Sequence, residues 1–133
     1  MYVQKAGFLY KQNDCSYPHN RILRTSEIFL VLSSTNVLNH DGDKFIHDVI
    51  ISNHKKKENF NHPTAKSKKA VKELILSHSK ENDLIVDCFI GSGTTAVVCK
   101  ETKRKFIGFE IYKKYCESSR NRIKQVNTKP KIK

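Results

Sequence analysis

Two carboxylates and a glycine-rich bend carry the clearest chemistry in this chain. Leu84-Ile-Val-Asp87 is an apolar run that ends in an acid, Cys88-Phe-Ile-Gly91-Ser-Gly93 bends the chain, and Thr94-Thr95 opens the next segment. In a strand-loop-helix unit, Asp87 stands at the strand tip as a hydrogen-bond acceptor. Gly91 and Gly93 leave out side chains where the backbone must approach a ligand. Lys105-Phe-Ile-Gly-Phe-Glu110 repeats the form, and a second acid at a strand end reads as a ribose clamp.

Three nucleotide pockets compete for this bend, beside the plain alternative of an ordinary turn with Asp87 capping the next helix. Gly91-Ser-Gly-Thr-Thr-Ala96 fits the dinucleotide pattern G-x-G-x-x-A, with Glu110 near the position of a ribose acid. Against it, four residues from Asp87 to Ile90 separate the apolar run from the first glycine, and an acid there repels a pyrophosphate. A P-loop ends in Gly-Lys-Ser/Thr, whereas Gly93-Thr-Thr has no lysine. S-adenosylmethionine, with a cationic methionine end, matches a carboxylate at that strand tip.

Composition narrows the class. A chain of 133 residues holds one domain with a modest core. A net charge of +12 and a pI near 9.6 favour a polyanionic partner, nucleic acid first. A lysine- and asparagine-rich chain can also reflect the base composition of its gene. Cys15, Cys88, Cys99 and Cys116 form no Cys-x-x-Cys pair, so neither zinc nor a disulfide framework is indicated. His40, Asp41 and Asp43 do not complete a calcium loop, and no metal is expected. No membrane span or apolar leader is read, so a soluble cytoplasmic protein is expected.

Along the chain, strands are predicted at Ala6 to Lys11 and Glu27 to Leu32, with a loop at Asn13 to Arg24 and a weak strand at Phe45 to Ile51. Ser67 reads as the N-cap of a helix whose apolar positions are Val71, Leu74, Ile75 and His78. Next come the strand ending at Asp87, a helix at Thr94 to Thr102, a strand at Lys105 to Ile111 and a helix at Tyr112 to Gln125. Strand-helix-strand-helix order predicts a parallel unit. The expected layout is a single partial domain over 1–126, in which residues 1–33 supply late strands, 34–61 a polar connection and 62–126 the cofactor unit. Residues 127–133 are expected to be a basic disordered tail.

Three blocks together resemble the amino-group DNA methyltransferases, adenine N6 or cytosine N4, that carry the S-adenosylmethionine motif near the C-terminus. Asp87-Cys-Phe-Ile-Gly-Ser-Gly-Thr-Thr95 is similar to the family's Asp-Pro-Phe-x-Gly-Ser-Gly-Thr-Thr. His62-Pro-Thr-Ala-Lys66 is similar to its His-Pro-Thr-x-Lys-Pro, and Phe106-Ile-Gly-Phe-Glu110 to its ribose-binding strand. Weaker similarity at Gly7 to Lys11 and Arg24 to Leu32 extends the likeness over most of the chain. Cys88 and Ser67 stand where the family has proline.

The resemblance implies an α/β, Rossmann-like methyltransferase fold that binds S-adenosylmethionine. Asp87, Phe89, Gly91, Ser92, Gly93, Thr94, Thr95, Glu110, Thr64 and Lys66 would hold the cofactor, and Arg21, Lys55, Lys56 and Lys57 would lie near the phosphates of duplex DNA. The family's Asp/Asn/Ser-Pro-Pro-aromatic loop, which cradles the flipped base and its amine, has no counterpart among Pro18, Pro63 and Pro130. No catalytic residue is therefore assigned. The expectation is an incomplete fold lacking the catalytic strand and its neighbour: a truncated frame or one piece of a split enzyme, with the loop on a second polypeptide. Adenine is the preferred target. The alternatives are a non-catalytic basic nucleic-acid-binding module and an NAD-binding oxidoreductase fragment.

Overall fold

Ser26–Ser33 alternates exposed and half-buried residues along its whole length, the period of a pleated strand with two unlike faces. The computed structural model describes residues 1–12, 16–19, 22–24, 26–34, 48–53 and 66–126. Its elements in chain order are β1 (Tyr2–Gln12), β2 (Ser16–His19), β3 (Ile22–Arg24), β4 (Ser26–Ser33), β5 (Val49–Asn53), α1 (Lys68–His78), β6 (Leu84–Asp87), α2 (Thr94–Glu101), β7 (Lys105–Gly108) and α3 (Lys113–Lys124). β1 lies between β4, which it pairs antiparallel, and β5, which it pairs parallel. β6 and β7 form a separate parallel pair in the register Asp87↔Gly108, with α2 as the crossover.

Several expectations need correction. The segment from Asn13 to Arg24, read as a loop, contains the antiparallel pair β2 and β3, joined at Ser16↔Arg24 and His19↔Ile22. Pro18 misled because proline is tolerated where a strand is an edge, and both strands of an isolated pair are edges. β1 runs beyond Ala6 to Lys11 at both ends, and β5 lies later than the predicted Phe45 to Ile51, of which 45–47 fall outside the described residues. β7 stops at Gly108 rather than Ile111: the Phe109 N–H still donates to Asp87 O at the end of β6 at 2.9 Å, but its carbonyl accepts from Ile90 N in the bend at 3.0 Å. His78 is exposed. The buried position is its neighbour Ser77, whose hydroxyl is satisfied within the helix by Glu73 O at 2.7 Å.

The core is built on one side of the β6–β7 pair. Ile75 of α1 and Val98 and Cys99 of α2 form its centre, with Val71, Ile85 and Phe106 packed around them. α2 is buried at Ala96, Val97, Val98 and Cys99, so it is apolar on nearly every side, as a helix enclosed by neighbours must be. Ser67 caps α1 by accepting from Ala70 N at 3.4 Å, a task that a proline at that position could not perform. Arg104 is buried, yet it donates to Ser79 O at 2.6 Å and Thr102 O at 2.7 Å, fastening the end of α1 to the start of β7. These bonds offset the cost of taking a guanidinium out of water.

The opposite faces of β4–β1–β5 and β6–β7 are bare. Register partners share a face, and the exposed side chains form continuous pairs: Phe8 with Ile28 and Val49, Val3 with Leu32, Tyr10 with Ile51, and Val86 with Ile107. Ile28 and Leu30 are 70 % and 59 % exposed, far more than a strand residue packed under a helix. Among the described residues no strand joins these two sheets.

Candidate functional site

Parallel pairing of β6 with β7 brings Asp87 and Glu110 to adjacent strand ends, and both line one cavity of about 820 Å³. Between them runs the glycine bend. Asp87 Oδ1 accepts from Phe89 N at 3.0 Å, closing a tight turn over Cys88 and leaving Oδ2 for other donors. Glu110 spreads across the site: Oε2 accepts from Gly91 N at 3.1 Å and Oε1 from Tyr112 N at 2.9 Å. Each carboxylate oxygen has two acceptor positions, so Glu110 retains capacity for further donors.

Gly93 explains the shape of the bend. Its φ of +79° is left-handed, and a Cβ there would sit 2.7 Å from Ser119 Cβ, so only glycine lets α3 close against the turn. Gly91 is also left-handed at φ +48°. Gly93 is the N-cap of α2 and provides no side-chain cap. The first backbone N–H groups of an α-helix lack intrahelical partners and favour a negatively charged group. Thr94 and Thr95 place that helix end at the cavity wall.

Most of the expected residues converge. Lys66, Asp87, Phe89, Gly91, Ser92, Thr94, Thr95 and Glu110 line the cavity, while Gly93 turns away toward α3. Lys66 sits at the rim, but its ammonium is paired with Glu27 of β4 at 2.8 Å, a partner the sequence did not reveal. Thr64, Arg21, Lys55, Lys56 and Lys57 lie outside the described residues. Sequence reasoning missed Phe109, Ile111, Tyr112 and Tyr115, which give the cavity its apolar side. Ile111 and Tyr112 directly follow the acid of the second strand end, and large apolar side chains at that place were the signal. Arg122 was missed as well, for lack of any local pattern. Among the described residues, no His, Cys, Asp and Glu cluster could hold a metal, and no helix is long and apolar enough to cross a membrane.

Cys99 of α2 lies in the core, fully buried. Burial pushes its thiol up from 9.0 to about 11, with the nearby Arg104 charge opposing the shift and Asp87 adding to it. At neutral pH it is a small apolar wall of the core. Cys88, by contrast, is exposed at the cavity.

Comparisons with known proteins identify the family and the fold. The profile of the DNA methylase family of N6 and N4 methyltransferases matches residues 9–121. Type II methyltransferase M2.LlaDCHI of Lactococcus lactis subsp. cremoris is 47 % identical over 62 residues, which is 47 % of this chain and 23 % of that protein. M2.DpnII of Streptococcus pneumoniae is 44 % identical over 66 residues, covering 50 % of this chain and 25 % of that one. The crystal structure of the M1.HpyAVI-SAM complex superposes with a TM-score of 0.69 at 28 % identity, over 91 % of this chain and 62 % of that one. PvuII DNA methyltransferase, described as cytosine-N4-specific, superposes with a TM-score of 0.76 over 91 % of this chain and 51 % of its own, at 20 % identity, and shows the fold alone. The chain spans about a quarter of the length of the curated relatives it matches. Its sheets and helices thus form part of the Rossmann-like fold of S-adenosylmethionine-dependent methyltransferases. With the family profile spanning most of its length and the acid-glycine-acid site lying within the matched stretch, the chain belongs to the N6/N4 DNA methylase family.

Proposed function

We propose that the cavity between Asp87 and Glu110 binds S-adenosylmethionine, and that the chain is the cofactor-binding part of an enzyme that methylates an exocyclic amine of duplex DNA. The observation that carries this is the pair of carboxylates on either side of an uncapped helix N-terminus. The cofactor combines a cation, a carboxylate, a ribose diol and an aromatic base. Acidic strand tips suit the cation and the diol, the start of α2 suits the carboxylate, and Phe89, Ile111 and Tyr112 suit the base. A volume of about 820 Å³ accommodates a ligand of this size. When bound, the cofactor supplies an electrophilic methyl group on a sulfonium.

Asp87 and the turn from Gly91 to Thr95 then hold the methionine end, Glu110 accepts from the ribose hydroxyls, and Thr64 and Lys66 close the rim. Adenine is the proposed target, supported by the sequence resemblance and by similarity to DNA adenine methyltransferase YhdJ of Escherichia coli, 41 % identical over 63 residues. A charge of +12 suits duplex DNA, with Arg21 and Lys55, Lys56 and Lys57 assigned to phosphates. The amine cradle is assigned to a Pro-Pro-aromatic loop on a second polypeptide. The bare apolar faces of β4–β1–β5 and β6–β7 support that reading, since exposed patches of this kind mark surfaces that are covered in use.

Isothermal titration of the purified chain tests the proposal. S-adenosylmethionine should bind more tightly than NAD, and Asp87→Ala and Glu110→Ala should each weaken it about 10- to 100-fold, the worth of a hydrogen bond to a charged group. A chain that binds duplex DNA but not S-adenosylmethionine is instead a non-catalytic nucleic-acid-binding module. Tighter binding of NAD would make it a dinucleotide-binding fragment.

A further inference from the structure

Besides Tyr115 at the cavity, α3 sends one side chain to the glycine turn. Arg122 Nη1 lies 3.1 Å from Ser92 O, 3.3 Å from Ser92 Oγ and 3.0 Å from Thr94 Oγ1. Two N–H groups on that nitrogen serve three acceptors, so at least one bond is shared. Ser92 and Thr94 are 5 % and 4 % exposed, and their hydroxyls lie 3.3 Å apart, so the guanidinium meets a buried polar pair. It grips both flanks of Gly93, the residue whose missing side chain lets Ser119 of the same helix close on the turn. Lys100 Nζ, donating to Ile123 O at 3.0 Å, ties that end of α3 to α2. The turn is thereby held from two sides, by its own left-handed glycines and by a cation one helix away.

We infer that Arg122 is a positioning residue for the glycine turn, setting the geometry with which Ser92 and Thr94 meet the amino-acid end of the cofactor. Arg122 donates to Ser92 and Thr94 of the cavity wall and does not itself line the cavity, so it acts through the turn. Glu110 bonds the same turn at Gly91 N, but its other oxygen is held by Tyr112 N, so the nucleoside side of the cavity keeps an anchor that Arg122 does not supply. The inference deepens the S-adenosylmethionine reading and rests on it for its ligand, but the geometric lock itself can be read without any ligand.

The test compares wild type, Arg122→Ala and Arg122→Lys by titration with S-adenosylmethionine and with 5′-methylthioadenosine, which has the nucleoside end but no amino-acid end. Amide hydrogen exchange is followed in the ligand-free proteins. Arg122→Ala should weaken S-adenosylmethionine about tenfold or more, change methylthioadenosine less than about twofold, and speed exchange at Ser92 to Thr95. Arg122→Lys, which keeps one charged donor, should recover part of the loss. Equal weakening of both ligands, or protected turn amides in Arg122→Ala, overturns the inference. If wild type binds no S-adenosylmethionine while Arg122→Ala still loosens the turn, the cofactor reading fails and the lock stands.

Discussion

Replacing Gly93 by alanine should damage the molecule through two separable effects, and a second substitution can isolate one of them. At φ +79° an L-residue pays about 1–2 kcal/mol for the left-handed backbone. The new Cβ would also stand 2.7 Å from Ser119 Cβ and 3.1 Å from Ser119 Cα, an overpacking of the kind that costs about 1–3 kcal/mol. Gly93→Ala should therefore destabilise by about 2–5 kcal/mol. Ser119→Gly alone should cost about 0.5–1 kcal/mol, the entropic penalty of glycine inside a helix. It removes the Cβ that the introduced alanine methyl would strike, so in the double variant most of the clash disappears while the backbone strain remains. The two substitutions should thus fall short of additivity by about 1–3 kcal/mol. Equilibrium urea unfolding of the four proteins, followed by far-ultraviolet circular dichroism, measures that difference. Additivity within about 0.5 kcal/mol would show that α3 does not approach the turn as closely as described, and would weaken the assigned role of Arg122 with it.

Two other expectations follow from burial. Above the ordinary thiol value of 9.0 the unfolded chain releases the Cys99 proton while the folded chain, with its thiol at about 11, keeps it. Stability attributable to Cys99 is therefore intact below pH 9 and falls by up to about 1.4 kcal/mol per unit as pH rises toward 11. Urea midpoints measured from pH 8 upward should fall less steeply in Cys99→Ala than in wild type, and parallel slopes would refute the assignment. Under native conditions iodoacetamide should label Cys88 and spare Cys99. On the bare sheet face, Ile28→Lys and Leu30→Lys should reduce self-association in light scattering while changing stability by no more than about 0.5 kcal/mol. A loss above about 2 kcal/mol for either would show that the face is packed in the isolated chain.

What could be read from the sequence depended on the range of the interaction involved. Asp87, the glycine turn and Glu110 were legible because a strand tip, a bend and a helix start are all written within a few residues. Ser67 as an N-cap was legible for the same reason. β4 announced itself by its apolar run, Ile28 to Leu32, whereas β2 and β3 are too short for a period to show and contain a proline, so they read as loop. Ser77 could not be preferred over His78 as the buried position, because its burial depends on its hydroxyl bonding back to Glu73 O and Leu74 O. Lys66 pairing with Glu27, Arg104 reaching Ser79 and Arg122 reaching Ser92 all link residues 25 to 39 apart. No local pattern encodes such contacts, and they fix how the site is held rather than where it lies.

That division bears on how the two halves of the structure depend on each other. Among the described residues, those lining the cavity fall between Lys66 and Tyr115, and none comes from β1, β4 or β5. The Lys66–Glu27 pair ties the rim to the β4–β1–β5 sheet, but it joins side chains 59 % and 35 % exposed, and ion pairs of that kind contribute about 0–1 kcal/mol. The turn is held instead by Glu110, by α3 through Ser119 and Arg122, and by the core formed from Ile75, Val98 and Cys99. Those supports lie on the side of β6–β7 that the helices already cover. The bare apolar face lies on the other side, so covering it would leave the turn as it is. Ligand binding at the cavity should therefore need only the stretch from Thr64 through α3, without the β4–β1–β5 sheet. Any step that requires the amine cradle should need the covered face as well.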